Sequence, residues 1–170
     1  MALHSPRDLF LFELGTVRDI ERSGGVLLGQ LAQRVHDDAL RQVLDAQAQE
    51  DRKLTQNILD CLASIGRSPL ETTAHVVEAV RNSFQEFCRM DPSPEVVDLM
   101  VTKVSSWYTE HAIVRYRGLL DSATFLGDQE CARLLLANLV SKEAFLAKLR
   151  QISVASAMQR ASAALATSPP

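Results

Sequence analysis

The chain has 170 residues, 46% of them hydrophobic and 23% charged, the balance of a single globular domain with a sizeable core. Only 5% are aromatic, with 7 Gly and 6 Pro, which disfavours a β-sandwich or barrel, since those need frequent turns and many aromatic and β-branched residues. A net charge of -3 and a pI near 5.8 provide no basic field for a phosphate backbone, so nucleic acid is excluded as an expected partner.

Punctuation along the chain is sparse, and long stretches without it predict long helices. The first opens at Ser5-Pro6, with Ser as N-cap and Pro at the first helical position, and runs to about Val35. A second starts after Asp37 or Asp38 and stops at Gly66, a good C-terminal glycine. A loop over residues 67–71 leads to a shorter helical piece from about Thr72 to Arg89, ended by Asp91-Pro92-Ser93-Pro94. Ser93 and Pro94 then begin a third long stretch reaching Leu126, and Gly127-Asp128 hands over to a fourth that continues to about Ala163. Residues 1–163 are expected to form one helical domain and residues 164–170 a fraying tail.

Helices of roughly 28 to 33 residues are about 40 to 50 Å long. With short connections they must lie antiparallel, so the prediction is an all-α four-helix bundle with one short crossover helix. The N-terminus has only a brief apolar run, Leu9 to Phe12, cut by Glu13, and predicts neither a signal peptide nor a membrane span. Cys61, Cys88 and Cys131 are odd in number and far apart, which suits reduced, buried thiols in the cytoplasm better than a disulfide framework.

Phe10, Leu14, Val17, Leu28, Leu31 and Val35 form the apolar stripe of the first helix, and Glu21 falls on it beside Gly24 and Gly25, which leave room for a facing helix or a ligand. The second stripe reads Leu40, Val43, Leu44, Leu54, Ile58 and Cys61, with Gln47 and Glu50 in its middle. The third reads Val97, Met100, Val101, Val104, Trp107, Tyr108 and Val114, with Glu110 and His111 between, and Trp107 as a core anchor. The fourth reads Cys131, Leu134, Leu135, Leu139, Leu146 and Leu149, with Glu143 between. Each long helix therefore offers one carboxylate near the inner face.

Buried ionised carboxylates cost several kcal/mol unless paired or metal-bound. Either Glu21, Glu50, Glu110 and Glu143 converge on iron or manganese, or some turn to the helix boundary and pair with Arg18, Arg22, Arg52, Lys53, Arg115 or Lys142.

Over about residues 6 to 152 the order of features resembles the YciE/YciF-type family of bacterial ferritin-like stress proteins. Asp19-Ile20-Glu21 stands where the family's first helix carries Asp-Ala-Glu; Gln47-Ala48-Gln49-Glu50-Asp51 leads to Ser64-Ile65-Gly66; Tyr116, Leu119 and Leu126-Gly127 match the third helix. The resemblance implies a ferritin-like fold, a stress-associated role and iron- or manganese-dependent redox chemistry. It implies Glu21, Glu50, Glu110 and Glu143 as oxygen donors and His111 as a nitrogen donor, with Tyr108 or Tyr116 as a hydrogen-bond donor behind them. The chain also departs from the family. Thr109-Glu110-His111-Ala112 stands for Glu-His-Tyr-Glu, Ser141-Lys142 for the paired Glu of the last helix, and Gln47 for a His. A site altered in this way leaves a non-catalytic structural or interaction bundle, with Lys142 or Arg115 supplying positive charge in place of an ion.

His4, His36 and His75 lie near helix starts or loops and are expected to be solvated. No Gly-rich phosphate loop, serine nucleophile elbow or Cys-x-x-Cys pair is present. Phe10, Phe12, Phe84 and Phe87 cannot all face one core, so either the crossover helix covers those of the first helix or an exposed cluster marks a homodimer interface.

Overall fold

A computed structural model describes the backbone of residues 3–73 and 75–167 and the side chains of residues 3–73 and 75–158. Five helices follow one another: α1 (Pro6–Ala32), α2 (Asp38–Ser64), α3 (His75–Cys88), α4 (Pro94–Leu126) and α5 (Gln129–Thr167). No strand occurs among the described residues.

The helix ends follow local chemistry. Ser5 caps α1 by accepting from the Asp8 backbone N–H at 3.1 Å, and the Asp8 carboxylate accepts from Ser5 Oγ at 2.8 Å and the His4 N–H at 3.1 Å. Asp37 caps α2 by accepting from the Leu40 N–H at 2.8 Å. Gly127, at φ 76°, closes α4 in the left-handed conformation that a Cβ would disfavour. The bend between α1 and α2 is held from α4, where the Asp98 carboxylate accepts from the His36 and Asp37 N–H groups at 2.8 and 3.1 Å.

Each long helix packs on two others, α1 on α2 and α4, α5 on α4 and α2, so the four enclose one interior. The shorter α3 packs on α1 and α4 through Val77, Val80 and Phe84. Two apolar clusters fill the interior. One gathers Leu28, Leu31, Leu44, Val101 and Leu149; the other gathers Phe10, Leu14, Ile58, Leu119 and Leu135. Between them lies a layer of buried polar side chains.

Several expectations are corrected here. Trp107 is 52% exposed and Val114 66% exposed, whereas Tyr108, Ala112, Ile113 and Tyr116 face inward; the predicted stripe of α4 is rotated by about one position. The four phenylalanines form no common patch. Phe10 lies in one apolar cluster, Phe84 and Phe87 in or against the other, and Phe12 is exposed. Cys61 and Cys131, 70 residues apart, are joined in a disulfide between α2 and the start of α5, and Cys88 is free. α5 continues to Thr167, past the predicted end near Ala163, and the rest of the expected tail, residues 168–170, lies outside the described residues. Among the described residues no helix is long and apolar enough to cross a membrane.

Candidate functional site

Alternating steps of three and four residues bring polar side chains onto the inward faces. From Leu40, Leu44 and Gln47 the steps on α2 reach Asp51, then Leu54, Ile58 and Cys61, all buried. On α5 they run Cys131, Leu135, Asn138, Lys142, Phe145 and Leu149. On α1 they pass from Leu14 and Val17 through Glu21 and Gly24 to Leu28 and Leu31.

Glu21, Asp51 and Lys142 meet where these three faces converge. Lys142 Nζ stands 2.6 Å from Glu21 Oε2 and 2.7 Å from Asp51 Oδ1, and all three side chains are at most 1% exposed. Gln47 Nε2 also donates to Asp51 Oδ1, at 2.6 Å. Among the described residues Asp51 Oδ2 has no hydrogen-bond partner, and Glu21 faces the Lys142 ammonium at 2.6 Å and the Tyr116 hydroxyl.

Two tyrosines of α4 frame this group. The Tyr108 ring lies 5.6 Å from Lys142 Nζ, a favourable position for a cation, and its hydroxyl donates to the Ile20 carbonyl oxygen at 2.8 Å. This approach depends on Gly24, where a Cβ would overlap the Tyr108 hydroxyl. The Tyr116 hydroxyl accepts from Asn138 Nδ2 at 3.1 Å. Asn138 Nδ2 also donates to the Leu54 carbonyl at 2.9 Å, and its Oδ1 accepts from Asn57 at 2.6 Å. The network ties α2, α4 and α5 together in the polar layer.

Burial pushes the Glu21 carboxyl up to about 7; the Asp51 charge adds to that, while Lys142 and Tyr116 pull it down. Burial alone would depress the Lys142 ammonium, but Glu21 and Asp51 outweigh it and hold Lys142 above its ordinary value. Burial, with Glu21 and Asp51 nearby, pushes both tyrosine hydroxyls up.

The structure does not bring together the five residues expected to bind metal. Glu21 alone lies in the core. Glu50 pairs with Lys53 at 3.3 Å, Glu110 with Arg150 at 3.1 Å and Glu143 with Arg117 at 2.8 Å, all part-exposed or exposed. His111 is half-buried beside Trp107, and burial followed by the Arg115 charge lowers its pKa. Each misplaced carboxylate has a buried neighbour in sequence: Asp51 follows Glu50, Thr109 precedes Glu110 and Lys142 precedes Glu143. One residue is a rotation of about 100° on a helix of 3.6 residues per turn. Of the cations expected to pair with these carboxylates, Arg115 instead reaches Glu13 at 2.6 Å and Arg18 reaches Glu71 at 3.2 Å.

The donor set at the centre does not fit a metal ion. Carboxylate ligands hold a cation at about 2 Å, and here an ammonium stands between the two acids at 2.6 and 2.7 Å. Among the described residues no three His, Cys, Asp or Glu side chains gather closely enough to hold an ion. Outside the triad, a groove of about 710 Å³ between α1 and α2 is lined by Arg22, Gly25, Asp45, Gln49 and Arg52, with Glu21 and Asp51 at its inner wall.

The fold is shared with known structures. The E. coli stress protein YciF superposes with a TM-score of 0.85 at 20% identity, covering 89% of this chain and 96% of that one. YcfI, a candidate structural protein from Rhodopseudomonas palustris, superposes at 0.83 and 20% identity over 86% and 94%. A protein from Xanthomonas campestris pv. campestris superposes at 0.70 and 15% identity over 93% and 99%. No curated protein matches the sequence. The family model of the domain of unknown function DUF892 matches residues 5–162, and the chain belongs to this YciF-type family.

Proposed function

We propose that this chain is a metal-independent, ferritin-like four-helix bundle with a structural or interaction role in the stress response. The observation that carries this reading is the Lys142 ammonium, fully buried between Glu21 and Asp51. A buried pair of acids needs a compensating positive charge, and here a side chain of the chain itself supplies it. The names of two similar proteins, a stress protein and a candidate structural protein, support the direction of this reading.

The alternative, iron or manganese held by Glu21, Glu50, Glu110, His111 and Glu143, would need three surface ion pairs broken and Lys142 expelled. The test is elemental analysis of chain purified without chelator from cells supplied with iron and manganese, together with melting in added Fe²⁺ or Mn²⁺. The expected result is no stoichiometric ion and an unchanged melting temperature, because only an ion that binds the folded state raises it. A stoichiometric ion would overturn the proposal.

A further inference from the structure

We propose that Lys142 and Asp51 condense into an intramolecular amide that bonds α5 covalently to α2, with Glu21 relaying the proton. The reacting groups are already in contact, with Nζ 2.7 Å from Asp51 Oδ1, so the usual entropic cost of bringing amine and acid together has been met by folding. Gln47 and Lys142 both donate to Oδ1, which polarises that oxygen and marks it as the future amide carbonyl. Oδ2 is buried and accepts no hydrogen bond among the described residues, which makes it the oxygen that departs.

Glu21 is placed for the transfer, its Oε2 lying 2.6 Å from Nζ. Glu21 and Asp51 hold the Lys142 ammonium above its ordinary value, so the reacting species is the minor form in which one proton has moved from Nζ to Glu21, whose carboxyl burial raises to about 7, leaving a neutral amine and acid. The Nζ lone pair then forms the bond to Asp51 Cγ and the Cγ–Oδ2 bond breaks. Of the three ammonium protons, one stays on the amide nitrogen and two leave with Oδ2 as water, one of them through Glu21, which ends as it began. No oxidant, reductant or activated donor is consumed. The groove that reaches Glu21 and Asp51 offers the released water a way out.

The inference rests on the metal-free reading only in that Lys142 must point between the acids. The test is the intact mass of the purified, reduced 18.8 kDa chain. Expected is the sequence mass less one water, with a branched tryptic peptide joining residues 42–52 to residues 134–148 through Asp51 and Lys142. Lys142→Arg and Asp51→Ala should restore the full mass. Glu21→Gln, shown by circular dichroism to be folded, should retain both reacting groups yet stay unlinked. A wild-type chain of full mass after prolonged incubation, or a water loss that maps elsewhere, overturns the amide; a folded Glu21→Gln chain that still loses water overturns the relay. A metal-free chain of full mass would leave the functional proposal standing while removing this one.

Discussion

Tyr108 of α4 lies against α1 at Gly24, and its hydroxyl donates to the Ile20 carbonyl at 2.8 Å in the space a side chain would fill. Gly24→Ala should therefore destabilise the fold by about 1–3 kcal/mol, the usual cost of overpacking a core. Denaturant unfolding of Gly24→Ala, Tyr108→Ala and the double variant checks this. The double should lose less than the sum of the singles, because Tyr108→Ala removes the group that the added methyl would strike.

Measured against Lys142→Arg, which keeps the cation and cannot form the amide, Lys142→Met should cost more, about 3–5 kcal/mol, because it leaves Glu21 and Asp51 buried without their cation. Replacing all three residues, as Glu21→Leu, Asp51→Leu and Lys142→Met, should recover most of that loss, since an apolar layer has no charge to desolvate. Chemical denaturation of the single and triple variants separates packing from electrostatics.

Stability should depend on pH through Glu21. Its carboxyl is raised from 4.5 to about 7 in the fold, chiefly by burial, so between those values the folded chain binds more protons than the unfolded one. The stabilisation is complete below pH 4.5 and is lost as pH rises through about 7. Unfolding free energies measured across this window on Lys142→Arg, which cannot form the amide, retain Glu21, Asp51 and a cation between them and give the sign. Stability there should fall as pH rises, and adding Glu21→Gln should flatten the slope.

The Cys61–Cys131 disulfide closes a loop across a sequence separation of 70 residues and stands at the end of the fold away from α3. Closing a loop of this length stabilises by about 4 kcal/mol in the chain-entropy account. Reduction, or Cys61→Ala with Cys131→Ala, should lower the melting temperature accordingly, and calorimetry with and without reductant reads the difference.

The helices were legible because their boundaries are set locally. Ser5-Pro6, Asp37, Ser93-Pro94 and Gly127 act on the few residues beside them, and α4 spans Pro94–Leu126 as the punctuation predicted. The apolar stripe of α1 was legible too, because Phe10, Leu14, Val17, Leu28, Leu31 and Val35 are all buried. The signal missed for the site lay in the same spacing. Steps of three and four from Leu40 reach Asp51 rather than Glu50, and from Cys131 they reach Lys142 rather than Glu143.

The sequence by itself determined that the chain is helical, where α1, α2 and α4 begin and where α4 ends, and that Glu21 lies on an apolar face. Only the tertiary structure decided which charges share the interior, because a shift of one residue turns a side chain by about 100° and moves it from core to solvent. It also decided that Lys142 of α5 would answer acids 91 and 121 positions earlier, and that Cys131 would meet Cys61. Such partnerships depend on which helices lie side by side, and no local pattern carries that information.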